Sequence, residues 1–163
     1  MREGWRIAGI SALALAASAG IAAALALGLP ASSGPRDGRA WVLDAREKLQ
    51  ANRYLEAAES YEKGIAGSRK VAGDPLVWCE LADALGMAQG GSLAGRPAEL
   101  VQKALALGPA HPRALEMAGS VAYEARDYRR AVLYWEQLLA QLPSGTGAHA
   151  ELLAAIARTR ALM

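Results

Sequence analysis

The chain has 163 residues, one domain's worth, and a formal charge of +2 from 18 basic and 16 acidic side chains. That near-balance leaves no basic face for nucleic acid, and the single cysteine, Cys79, excludes an internal disulfide. Phenylalanine is absent and alanine abundant, which suits close-packed helices and disfavours a β-sandwich. His111 and His149 lie far apart without metal-ligand spacing, and no phosphate loop or nucleophile with a nearby base can be assembled. No cofactor, no metal, no small-molecule substrate and no catalytic role are therefore expected.

In chain order, residues 1–6 carry Arg2, Glu3 and Arg6 and read as a short cytoplasmic start. Residues 7–29 are uncharged and long enough to cross a bilayer core as one helix. The expectation is a single-pass anchor in a bacterial inner membrane, with the remainder in the periplasm. A cleaved signal peptide is the rival reading, although its apolar region is normally shorter. Residues 30–38, rich in Pro, Ser and Gly, read as a linker, and residues 39–163 as the exported domain.

That domain opens with two helices expected near 39–51 and 54–69, followed by a break at Ala72-Gly73-Asp74-Pro75. Asp74 caps the next helix and Pro75 fills its first position, where a missing N–H costs nothing. This helix, over about 76–88, ends at Gly90-Gly91. The segment 90–95 is too glycine-rich for helix. Arg96-Pro97 starts another helix, turning Leu100, Val101, Ala104 and Leu105 inward and stopping at Gly108-Pro109. From Pro112 to Pro143 two amphipathic runs flank Ala125-Arg126-Asp127. Leu115, Ala118, Gly119 and Ala122 recur at helical spacing in the first, and Ala131, Trp135, Leu138 and Leu139 in the second. Small residues at Gly119 and Ala131 are expected to let the two helix backbones approach. A last helix over 147–162 carries Leu152, Leu153 and Ile156 on its apolar side.

Leu115, Ala118, Gly119, Ala131, Trp135 and Pro143 reproduce the spacing of a tetratricopeptide repeat. Pro75, Trp78, Leu81 and Ala82 match Pro112, Leu115, Ala118 and Gly119 place for place. Further upstream, Trp41, Ala45, Tyr54, Ala57 and Tyr61 take the roles of Leu115, Gly119, Tyr128, Ala131 and Trp135. The fold class that follows is all-α: a tetratricopeptide-repeat solenoid of three helical hairpins plus a C-terminal capping helix, preceded by one transmembrane helix. In such a stack the first helix of each hairpin lines a concave groove. The residues expected there are Arg46 and Leu49, then Glu80, Asp83 and Met87, then Arg113, Glu116, Met117, Ser120 and Tyr123. Acidic groups, flexible methionines and a tyrosine suit an amphipathic helix or extended peptide. Cys79 has Glu80 rather than a cation beside it and reads as small structural filler.

Residues 81–100, 103–107 and 131–139 together resemble the periplasmic repeat domain of the cytochrome c biogenesis proteins of the CcmI/CycH family. The related NrfG type is similar. The loop 89–97 carries much of the resemblance, because it is foreign to the general repeat pattern, and the likeness covers about 41–162. It implies a membrane-tethered chaperone that binds apocytochrome c, chiefly by its C-terminal helix. The chaperone presents its client to a haem lyase complex with subunits of the CcmF/CcmH type, and is not itself the catalyst. Family chains usually have two membrane spans with a cytoplasmic loop, whereas one span is legible here. A general envelope scaffold without a cytochrome client is the alternative, and a haem-binding protein using His111 or His149 is a third reading.

Overall fold

The computed structural model describes residues 37–163, so the anchor expected over 7–29 and nearly all of the linker lie outside the described residues. The described residues form α1 (Gly38–Gln50), α2 (Tyr54–Gly67), α3 (Arg69–Ala72), α4 (Pro75–Ala88), α5 (Arg96–Leu107), α6 (Pro112–Glu124), α7 (Tyr128–Leu139) and α8 (Gly147–Arg160). No helix among them is long and apolar enough to cross a membrane. Three antiparallel hairpins, α1–α2, α4–α5 and α6–α7, stack in order, and α8 packs on α7. In the stack, α4 lies against α2 and α6, and α5 against α6.

The helix starts follow local chemistry. The Asp74 carboxylate accepts the Leu76 N–H at 2.9 Å with Pro75 in the first turn, and Asp127 accepts the Arg130 N–H at 3.1 Å. Thr146 caps α8 through the His149 N–H. One boundary departs from expectation. Instead of running on to Arg69, α2 ends at Gly67, because Ser68 is extended (φ −149°, ψ 118°) and its hydroxyl caps the short α3. The detour turns Val71 into the core, and the Trp78 indole donates to the Ala72 carbonyl at 2.8 Å, tying α3 to α4.

Helix backbones do meet closely, but not at Gly119. A Cβ on Gly64 would lie 2.9 Å from the Gly38 carbonyl oxygen, so α1 and α2 touch where neither residue has a side chain. At Gly119 the vacated space holds an indole: a Cβ there would sit 2.0 Å from Trp135 Nε1. That N–H donates to the Glu116 carbonyl at 3.3 Å, locking α7 across α6. The small residue thus receives a side chain rather than a backbone.

Two apolar clusters fill the stack. Tyr61, Cys79, Leu81 and Val101 belong to the first, shared by the first two hairpins and α6. Leu115, Trp135, Leu138, Leu152 and Ile156 form the second, between the third hairpin and α8. On α8 the buried row is Leu152, Ile156 and Thr159, whose hydroxyl is satisfied by the Ala155 carbonyl at 2.8 Å. Leu153, expected on that side, is 49% exposed, because a row at helical spacing from Leu152 passes through Ile156 and leaves 153 a hundred degrees away. The loop at 90–95 uses left-handed glycines at Gly90, Gly91 and Gly95. It folds back so that the Glu124 carboxylate accepts from Ser92 Oγ and the Leu93 N–H.

Candidate peptide-binding surface

The first helices of the hairpins are cross-linked by ions in series. Arg46 on α1 grips Glu80 on α4 bidentately, with N···O distances of 3.0 to 3.2 Å. Arg113 on α6 reaches back to Asp83 on α4 at 3.1 Å and along its own helix to Glu116 at 2.9 Å. Five of the ten residues expected in the groove are therefore brought together as two ion-pair clusters spanning α1, α4 and α6. Hydrogen bonding to Glu80 raises the Arg46 pKa above its ordinary value. At Arg113 burial works in the opposite direction, but Glu116 and Asp83 outweigh it and the pKa is again raised. The face presents fixed, mutually neutralised charges rather than bare ones.

The remaining five separate. Ser120 is half-buried and donates to the Glu116 carbonyl at 3.2 Å. Met87 is 42% exposed, and Leu49 is half-buried against the first cluster. Met117 is not on the open face: at 3% exposure it lies in the first cluster. The neighbouring hairpin covers it, since α4 packs directly on α6. Tyr123 packs against α7, its ring 5.5 Å from Tyr128 and 5.9 Å from Trp135, and is half-buried. Met117 therefore acts in packing, and the open face of the first helices is more polar than the sequence suggested.

Cys79 is fully buried, and desolvation pushes its thiol up to about 12, so it stays protonated and inert near neutral pH. Its role is that of a small core residue. Tyr61 was legible only as a core aromatic. Its hydroxyl is buried without a hydrogen-bond partner, and burial, then the Glu80 carboxylate, raise its pKa. Nothing in the local pattern around residue 61 could reveal this neighbour, because Glu80 belongs to the next hairpin. His111 precedes α6 and His149 sits in the first turn of α8. Among the described residues no group of His, Cys, Asp and Glu is placed to hold a metal ion.

Three stacked hairpins with a terminal sealing helix and a charged face along their first helices define a tetratricopeptide-repeat domain. Solved structures share that fold. The first TPR of Spaghetti (RPAP3) bound to HSP90 peptide SRMEEVD superposes with a TM-score of 0.64 at 15% identity, covering 79% of this chain and 94% of that one. The first TPR domain of human RPAP3 gives 0.63 at 18% identity over 79% and 96% of the two chains. The Sgt2 TPR domain from Aspergillus fumigatus gives 0.61 at 17% identity over 77% and 78%. At the level of sequence, the chain is similar to the cytochrome c-type biogenesis protein CycH of Pseudomonas aeruginosa strain PAO1. The two are 27% identical over 129 residues, which is 79% of this chain and 31% of the relative's length. No family model matches the sequence.

Proposed function

We propose that the chain is a non-catalytic adaptor of c-type cytochrome maturation. In this reading residues 7–29 anchor it in the bacterial inner membrane and the repeats stand in the periplasm. There they hold apocytochrome c by its C-terminal helix and present it to haem lyase subunits of the CcmF/CcmH type. The observation that carries the reading is the likeness to CycH, which extends over 129 residues and so well beyond one hairpin. The α1–α4–α6 face supports it physically. A helix laid along that face meets charges already paired by the protein, so docking does not strand a buried ion.

The test is a titration of the full-length chain in uncharged detergent with fluorescent C-terminal helix peptides from the host's apocytochromes. Saturable binding is expected, with no comparable binding of helical peptides from unrelated envelope proteins. If no cytochrome helix binds while an unrelated envelope peptide does, the chain is a general assembly scaffold and the cytochrome reading falls.

A further inference from the structure

We propose that α8, besides closing the stack, pairs antiparallel with α8 of a second copy of this chain. One face of the helix covers the third hairpin through Leu152, Ile156 and Thr159. The opposite face is also apolar. Ala150, Leu153, Ala154, Ala157 and Ala161 recur along it at helical spacing, all exposed, and Leu153 keeps 49% of its surface in water. A terminal helix that only kept the end of a stack soluble would be polar on that side. The helix spans 14 residues, about 21 Å, so the paired contact is smaller than a standard interface of roughly 1,600 Å² and exchanges readily.

Two observations name the occupant. The first is the other end of the stack. The exposed positions of α1 and α2 are mostly polar, among them Arg39, Glu47, Gln50, Glu56, Glu59 and Lys63. Laying the apolar face of α8 on them would strand charges, which disfavours head-to-tail stacking of copies and leaves α8 to meet α8. The second is the charge pattern. Glu151 and Arg158, seven residues apart, lie along one flank of the apolar face, while Arg160 is held by Glu136 of its own chain. A parallel pair would set Glu151 beside Glu151 and Arg158 beside Arg158. An antiparallel pair, with its two-fold axis between residues 154 and 155, sets Glu151 of each copy opposite Arg158 of the other. Arg158 also interacts within its own chain, but the choice rests on unlike rather than like neighbours and survives that contact. The alanines let the two backbones approach closely, and the assignment uses nothing from the cytochrome reading.

Sedimentation equilibrium of the full chain in density-matched, uncharged detergent reads the pairing. The chain is expected to be monomeric at about 10 μM and to approach a dimer, with no larger species, at about 500 μM. Ala154→Glu with Ala157→Glu should weaken pairing at least about tenfold. Both positions are exposed, so helicity and melting should be unchanged, which circular dichroism checks. Copper-phenanthroline oxidation reads the direction. Ala154→Cys, beside the axis, should form a disulfide between copies, whereas Ala150→Cys, about 13 Å out of register with its counterpart, should not. The native Cys79 is buried and does not compete. Glu151→Arg and Arg158→Glu should each pair poorly alone and pair well when mixed, because only the mixture restores opposite charges. A chain still monomeric at about 500 μM, an unaffected double-glutamate variant, or no gain on mixing would overturn the proposal. So would oligomers that keep growing with concentration, the mark of head-to-tail stacking, or equal cross-linking at 150 and 154, the mark of a parallel pair.

Discussion

Gly119 shows how much one missing side chain can hold in place. Its empty position admits the Trp135 ring, and the indole N–H bonds back to the Glu116 carbonyl three residues earlier on the same helix. Gly119→Ala should destabilise the domain by about 1–3 kcal/mol, because the new methyl overlaps a rigid indole that has no free direction in which to move. Urea unfolding followed by tryptophan fluorescence measures this, and an unchanged midpoint would mean that Trp135 does not lie over residue 119. Met117 and Cys79 teach the complementary lesson. Both are buried in the stack, Cys79 as the filler its sequence setting implies and Met117 against the expectation that it faces the groove.

At the scale of elements, the first helices are held in register by side chains distant in sequence. Arg46–Glu80 joins α1 to α4 and Arg113–Asp83 joins α4 to α6, while Arg96–Glu62 and Arg160–Glu136 tie α5 to α2 and α8 to α7. A double-mutant cycle with Arg46→Met and Glu80→Gln should return a coupling of about 1 kcal/mol. The bidentate geometry is favourable, but the partial exposure of both groups screens it, so the coupling should shrink at high salt. A coupling of zero at low salt would show that the helices are aligned by apolar packing alone. Between hairpins, α3 and the 90–95 loop play the same connecting part, α3 through the bond its Ala72 carbonyl accepts from Trp78 and the loop through the bonds Ser92 and Leu93 donate to Glu124.

For the molecule as a whole, stability depends on an end that is closed. Leu152 and Ile156 of α8 complete the cluster built on Leu115, Trp135 and Leu138, a surface the third hairpin cannot bury by itself. Removing residues 147–163 should cost about 3–6 kcal/mol from those two side chains alone, and should make the truncated protein self-associate. Denaturant unfolding and size-exclusion chromatography read the two effects, and a truncated chain as stable and monomeric as the full one would show that α8 is not a cap.

Apart from α3 and the early end of α2, the helices were legible in the sequence. Pro75, Pro112, the glycines at 90–95 and the capping carboxylates act over one helical turn, and the repeat of Trp41, Trp78 and Leu115 fixed the order of hairpins from periodicity alone. Other features needed three dimensions. Whether Met117 faces a groove or a neighbour, whether Gly119 receives a backbone or an indole, and which arginine finds which carboxylate all depend on how adjacent hairpins cross. That crossing is set by packing between residues some thirty positions apart, as the Arg46–Glu80 and Arg113–Asp83 pairs show, and a single helix's spacing carries no record of it.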